Sequence, residues 1–317
     1  MRARRLMMVA ALGAACVAAC LALSACNGAF GPGFLPDLGS ANTTPGVEQT
    51  GTVGPYLGST PNPLAETPEV PDTPDTPGTP GTPGAPAPAN NETRGWYYVR
   101  NTSHSVPSVA SGAVSLLSSY DGRYIGPDPD LVYLTFDEGY ENGYTATILD
   151  ALKRNGVKAT FFVTESYIRN NPDLVRRMVA EGHVVGSHSA THPSMPSIAT
   201  DPAVFAAEFT RTEDAFREAT GREMPHIFRP PMGEYSPLSL WRTQSLGYET
   251  VFWSFAHRDW LVDDQPSVDV TIQRILDGSH PGAIYLLHAV SSSNTAALDD
   301  AIAGLRAQGY GFGTLDD

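Results

Sequence analysis

Residues 95–317 predict an α/β fold on a parallel sheet, open or closed into a barrel. Two observations carry this. Short apolar runs alternate with amphipathic stretches of helical period. Turn signals at Asn155-Gly156, Glu181-Gly182 and Gln308-Gly309 close several helices just before the next apolar run. Strands are expected near 131–136, 159–163, 183–186, 226–228, 249–253, 283–287 and 310–314. Helices are expected near 145–154, 173–181, 203–219, 238–246, 271–277 and 294–308. That makes seven strands, one short of the eight-stranded barrel.

The chain divides before this region. Arg2, Arg4 and Arg5 precede an apolar run over 6–23, the pattern of an export signal at 1–25. Leu23-Ser24-Ala25-Cys26 reads as a lipobox, so Cys26 is the expected site of lipidation and the new N-terminus. Cys16 and Cys20 would leave with the signal, and no disulfide is expected in the mature chain. Residues 26–94 then read as a linker. Positions 27–94 hold 14 of the 27 prolines, with much Gly and Thr. Such a composition cannot bury enough apolar surface to offset its ordering entropy. As polyproline II, at about 3.1 Å per residue, it would reach on the order of 100 Å from a membrane. The domain at 95–317 begins where Gly95-Trp96-Tyr97-Tyr98 changes the composition.

The formal charge is −14, and removing three arginines with the signal leaves −17. Without a Lys/Arg cluster beyond the first five residues, nucleic acid is not an expected partner. An acidic domain beside an anionic membrane would be held by acyl chains rather than by charge. The expected place is the outer face of the cell membrane, reaching into the wall.

In parallel α/β folds, reactive groups collect at the carboxyl ends of strands. Asp137 and Glu138 follow the first predicted strand, and His188 and His192 the third. Arg229 follows the fourth, Asp259-Trp260 the fifth, and His288 the sixth. A spacing of four would put His188 and His192 on one face of a single helical turn, before Pro193 stops it. Two imidazoles with a carboxylate suit a divalent metal that activates water. Adjacent strand-end carboxylates point differently, so one can bind metal while the other acts as base. Arg229, pinned by Pro230 and Pro231, can be a rigid-turn arginine or a cation orienting Asp137. The Pro-Pro-Met-Gly turn can aim a backbone N–H at an oxyanion. His288 paired with Asp259 would have a raised pKa and could act as general acid. His104, His183, His226, His257 and His280 are read as structural or surface residues.

Thr135-Phe136-Asp137-Glu138-Gly139, His188-Ser189-Ala190-Thr191-His192, Arg229-Pro230-Pro231-Met232-Gly233, Asp259-Trp260 and Leu286-Leu287-His288 form an ordered set. It resembles the five motifs of the polysaccharide deacetylases, the NodB-homology or carbohydrate esterase family 4 enzymes, over roughly 95–317. Glu138-Gly139-Tyr140-Glu141-Asn142-Gly143-Tyr144-Thr145, Val251-Phe252-Trp253-Ser254 and His280-Pro281-Gly282-Ala283-Ile284 resemble the subgroup that makes muramic δ-lactam. The resemblance implies a distorted seven-stranded (β/α) barrel. It implies Asp137 as base, with Glu138, His188 and His192 holding a divalent metal, usually zinc. Arg229 would orient Asp137, the backbone at Met232 would serve the oxyanion, and Asp259 would tune His288 as acid. Trp260 and Leu287 would wall the acetyl pocket. The expected reaction is hydrolysis of N-acetyl groups from a peptidoglycan glycan strand, at N-acetylmuramic acid, after an amidase has removed the peptide. Alternatives are N-acetylglucosamine, chitin-like oligomers or xylan esters, and a glycan-binding lipoprotein without catalysis. The sequence departs from the family at Glu138, where the family has Asp and the δ-lactam subgroup often Asn.

Overall fold

The computed structural model describes residues 86–315. The export signal, Cys26 and the linker up to residue 85 lie outside the described residues. Among the described residues, no helix is long and apolar enough to cross a membrane.

The chain opens with β1 (Arg94–Gly95), α1 (Ala113–Ser119), β2 (Gly122–Arg123), β3 (Leu131–Glu138), α2 (Thr145–Arg154) and β4 (Thr160–Val163). Next come α3 (Glu165–Asn170), α4 (Pro172–Ala180), β5 (Val184–Ser187), α5 (Met195–Ile198), α6 (Pro202–Thr220) and β6 (Ile227–Phe228). A 3₁₀ turn at Pro231–Gly233 leads into β7 (Glu234–Tyr235), α7 (Pro237–Ser245), β8 (Glu249–Val251) and β9 (Phe255–Ala256). The chain closes with α8 (Val268–Asp277), β10 (Ile284–His288), α9 (Ser292–Ala307) and β11 (Gly311–Phe312).

Local chemistry starts and stops the helices. Asp201 caps α6 by accepting from the Ala203 and Val204 amides, and Pro202 sits in its first turn. Ser236 and Ser239 form a reciprocal capping box on α7. Ser267 and Ser291 cap α8 and α9. Gly221 ends α6 in a left-handed conformation at φ 69°.

The main sheet runs β2-β8-β6-β5-β4-β3-β10-β9, and β11 adds beside β3. Its strand pairs are parallel. β8 lies next to one edge and β9 forms the other, yet only Phe252, Trp253 and Ser254 separate them. Three residues span at most about 11 Å, so the sheet has to curl until its edges approach. An antiparallel bridge between Ile125 and Ala283 ties the same gap. The result is a distorted barrel. All seven predicted strands are present. The last of them, β11, sits outside the main path against the start of β3, while β2 and β9 supply strands too short to give a periodic signal.

Alternation along β3 sorts its side chains. Val132, Leu134 and Phe136 join the core packed under the helices, with Ile148, Leu152, Phe161, Met178, Leu298 and Ile302. Tyr133 faces inward with Phe162, Val184, Ile227, Val251 and Leu286. Period two therefore sends Asp137 inward and Glu138 outward.

The folded domain starts earlier than the composition change at residue 95. The Asn90 carbonyl accepts from the Leu238 amide at 3.1 Å. Asn91 accepts from the Ser236 hydroxyl at 2.7 Å and donates to the Pro196 carbonyl at 2.9 Å. Arg94 pairs with Tyr235 in the β1–β7 ribbon. Polar residues that look like linker are held by partners more than a hundred positions away.

Candidate active site

β3 and β10 run side by side with Asp137 opposite His288, so the ends of two strands present a carboxylate and an imidazole together. Arg229 continues from β6, its amide donating to the Ser187 carbonyl at 3.0 Å before the two prolines break the strand. Its side chain is fully buried. The guanidinium donates to Asp137 Oδ1 at 2.8 Å and to Thr135 Oγ1 at 2.6 Å. Further bonds reach the Val251 and Phe252 carbonyls at 3.3 and 3.4 Å. The guanidinium also lies over the Phe162 ring, 4.3 Å from its centroid. Burial lowers the Arg229 pKa, with Asp137 opposing. The outcome is one fixed orientation for the Asp137 carboxylate.

A second pair faces it. Asp259 Oδ1 lies 2.7 Å from His288 Nδ1, and Oδ2 accepts from the His288 amide at 2.9 Å. Asn294 donates to Oδ2 at 2.5 Å, and its own carbonyl oxygen meets His257 Nε2 at 2.9 Å. Burial pulls His288 down, but the Asp259 carboxylate outweighs it and the imidazole pKa ends above its usual value. For Asp259, burial raises the pKa, and the His288 interactions carry it below the usual range. The Trp260 ring stands edge-on to His288 at 5.9 Å.

His188 and His192 meet as expected, with centroids 4.9 Å apart and edge-on, but not by a helical turn. The segment after β5 is irregular, and Ser189 and His192 have φ of 66° and 59°. The Ser189 hydroxyl accepts from the His192 amide at 2.9 Å and closes the loop. Left-handed non-glycine residues are costly and cluster at functional sites; Met232, at φ 59°, is another. His188 Nδ1 donates to the Arg229 carbonyl at 2.8 Å, leaving Nε2 as an acceptor 3.6 Å from Asp137 Oδ2. Two acceptors face each other there, which calls for a bridging donor or cation. Burial takes the His188 pKa down to about 4, and burial also lowers His192. Both rings present neutral nitrogen, the form that binds metal.

Asp137, His188, His192 and His288 line one cleft with Pro230, Met232, Gly233, Trp253 and Leu286. Its free space is about 20 Å³, room for roughly one water-sized ligand. Gly233, at φ 66°, allows this closeness: a Cβ there would stand 2.7 Å from the Trp253 ring.

Two predicted roles are corrected. Leu287 does not wall the cleft; it is buried in the core beneath the helices, and Leu286 lines the cleft. On β10, as on β3, neighbours face opposite sides. Glu138 likewise leaves the site. Fully buried, it receives a 3.4 Å bond from Thr145 on Oε1, while Oε2 has no partner among the described residues. Burial, then Glu141 and Asp137, raise its pKa well above the usual carboxylate value. A carboxyl on the far face of β3 is not placed as a third ligand for the two histidines. Among the described residues, no group of three His, Cys, Asp or Glu side chains is arranged to hold a metal ion. The two imidazoles still present neutral nitrogens towards Asp137, and Glu138, on the other face of β3, does not join them.

The sequence reading passed over Thr135, Asn294 and Leu286. Period two along β10 points to Leu286. Thr135 and Asn294 carry no local signal, because each acts through a partner more than thirty positions away.

An oriented carboxylate facing a carboxylate-tuned imidazole over a one-water cleft defines an acid–base hydrolase. Residues 125–251 match the polysaccharide deacetylase family. The peptidoglycan-N-acetylmuramic acid deacetylase PdaA of Bacillus subtilis is 41% identical over 72% of this chain and 86% of its own. An uncharacterized 30.6 kDa protein of Geobacillus stearothermophilus is 44% identical over 73% of this chain and 87% of its own. The solved structure of B. subtilis PdaA superposes with a TM-score of 0.69, covering 72% of this chain and 97% of that one. A family 4 carbohydrate esterase from Bacillus anthracis gives 0.60 at 38% identity, covering 72% of this chain and 96% of that one. The chain belongs to the polysaccharide deacetylases, the family 4 carbohydrate esterases. Its closely related members hydrolyse N-acetyl amides, and metal dependence is general among them.

Proposed function

We propose that this protein removes the acetyl group from N-acetylmuramic acid residues of peptidoglycan strands, after an amidase has stripped their peptides. The observation that carries this reading is 41% identity to PdaA, over 86% of that enzyme's length. The acid–base pairs at the strand ends supply the chemistry.

In this reading, Asp137 takes the proton of a water held in the cleft. Arg229 and Thr135 keep the carboxylate aimed at that water. The backbone at Met232 offers an N–H to the developing oxyanion, and Trp260 packs beside the acid. His288, held charged by Asp259, gives its proton to the leaving amine. Acetate and a free amino sugar result. His188 and His192 would hold a divalent ion, zinc being the first to test, and such an ion would polarise the carbonyl and water. Export, lipidation at Cys26 and a place at the outer face of the cell membrane belong to the same proposal.

The test is acetate release from amidase-treated peptidoglycan, untreated peptidoglycan and chitin oligomers, with mass analysis of the sugars. Chelator followed by Zn²⁺ should abolish and restore turnover. Acetate from the glucosamine residues alone would replace the substrate. No acetate from any glycan with any divalent metal would leave a binding protein.

A further inference from the structure

Muramic acid differs from glucosamine by a lactyl group on O3. That group ends in an amide while the peptide is attached, and in a free carboxylate after amidase action. Recognising the stripped residue therefore requires a cation near the reacting acetamide. The cleft's arginine cannot serve, because Arg229 is fully buried and committed to Asp137 and Thr135, and the other charges proposed there are committed to the reacting acetamide.

A second groove of about 450 Å³ adjoins the cleft, and His192 lines both. It lies over the strand ends, between Gly139 after β3, the α3 turn after β4, and Ala190-Thr191 after β5. Its guanidiniums are Arg169 and Arg211, and both grip Glu165. Arg169 Nε is 2.8 Å from Oε1, and Arg211 Nη2 is 2.5 Å from Oε2. The Glu165 side chain is 12% exposed, while that of Arg211 is 49% exposed. Both carboxylate oxygens are thus capped and covered, and the cationic side of the triad faces outward. Glu165 and Glu218 balance the two guanidiniums in formal charge, but Glu165 lies covered beneath them and Glu218 pairs with Arg169 alone, so Arg211 is the cation presented to the groove. Arg169 spends a further donor on Glu218 at 3.0 Å, so Arg211 is the less committed of the two.

We propose that Arg211, braced by Glu165 and Arg169, selects muramic residues whose lactyl carboxylate is free. This rests on the substrate reading above and explains how amidase action would come first: only the stripped strand carries the charge that Arg211 binds. Ser166 and Asn170, in the same groove, offer further donors to the sugar. The planar fork of arginine matches a carboxylate better than a lysine ammonium does.

The experiment compares kcat/KM of the full-length protein for three substrates. These are a peptide-free muramic tetrasaccharide, the same strand with its lactyl groups converted to methylamides, and chitotetraose. For wild type, the free-carboxylate strand should be preferred over the methylamide by about 10- to 100-fold, the range for one hydrogen bond to a charged group. Arg211→Gln should collapse that preference, with most of the change in KM, and Arg211→Lys should restore part of it. An Arg211→Gln protein that melts normally and keeps the full preference would overturn the assignment. So would an equal loss on all three substrates, which marks a structural role. Wild-type turnover of chitotetraose without turnover of muramic strands would instead remove the substrate reading, and this inference with it.

Discussion

Asp137 and Glu138 are adjacent carboxylates at the end of one strand, yet they inhabit different chemistry. Asp137 points into the barrel, where Arg229 donates to it and His188 Nε2 lies 3.6 Å away. Glu138 points under the helices, with a hydroxyl on one oxygen and no partner on the other. In a strand, one position decides which side of the sheet a group meets. The inner carboxylate is held by the Arg229 guanidinium. The outer one is buried without a counter-charge among the described residues, which raises its pKa.

The largest test of that contrast is activity. Asp137→Asn should lower kcat by about 10²- to 10⁴-fold, the usual worth of a general base. Glu138→Gln, measured in parallel, should stay within about threefold, since it keeps shape and neutrality. Comparable losses in both variants would mean that Glu138 reaches the reacting centre after all.

A stability comparison on β10 comes next. Leu287→Ala should cost about 2–5 kcal/mol in denaturant unfolding, as a core cavity does. Leu286→Ala should raise KM more than Leu287→Ala does, because its side chain lines the cleft. The reverse pattern would place the acetyl pocket on the other side of the sheet.

The pH profile tests the second pair. His288 has a raised pKa and is the proposed acid, so activity should fall as pH climbs through that value. In Asp259→Asn, the main force opposing burial is gone, and the alkaline limb should move to lower pH. An unmoved limb would assign it to another group.

The smallest effects are in stability against pH. Folding depresses His183 to about 4, from an ordinary 6.5, through burial, and its Nδ1 accepts from the Ala159 amide at 3.1 Å. Below 6.5 the unfolded chain binds a proton that the folded one refuses, so stability should fall as pH drops from 6.5 towards 4. Glu138 has the opposite sign. Its raised pKa means the folded form keeps a proton that the unfolded chain releases above about 4.5, so stability drains as pH rises. Glu138→Gln should therefore raise the melting temperature more at pH 7 than at pH 4. A melting temperature that responds equally at both would remove the neutral-acid reading.

The amino-acid sequence by itself determined the order of strands and helices, and the strand ends where chemistry gathers. Those depend on short-range periodicity and turn residues, and all seven expected strands appear. The titratable residues that share the cleft were likewise legible, since each follows a predicted strand in the chain. Tertiary structure alone decided which of them meet. The two histidines come together through left-handed residues at Ser189 and His192, not through a helical turn. Asn294 reaches Asp259 only because α9 returns over the barrel end. Glu138 and Leu287 sit one residue from where the motif reading put them, which turned both to the other face. The physical reason is the same throughout: periodicity is local, whereas the partner of a side chain is set by register between strands far apart in the chain.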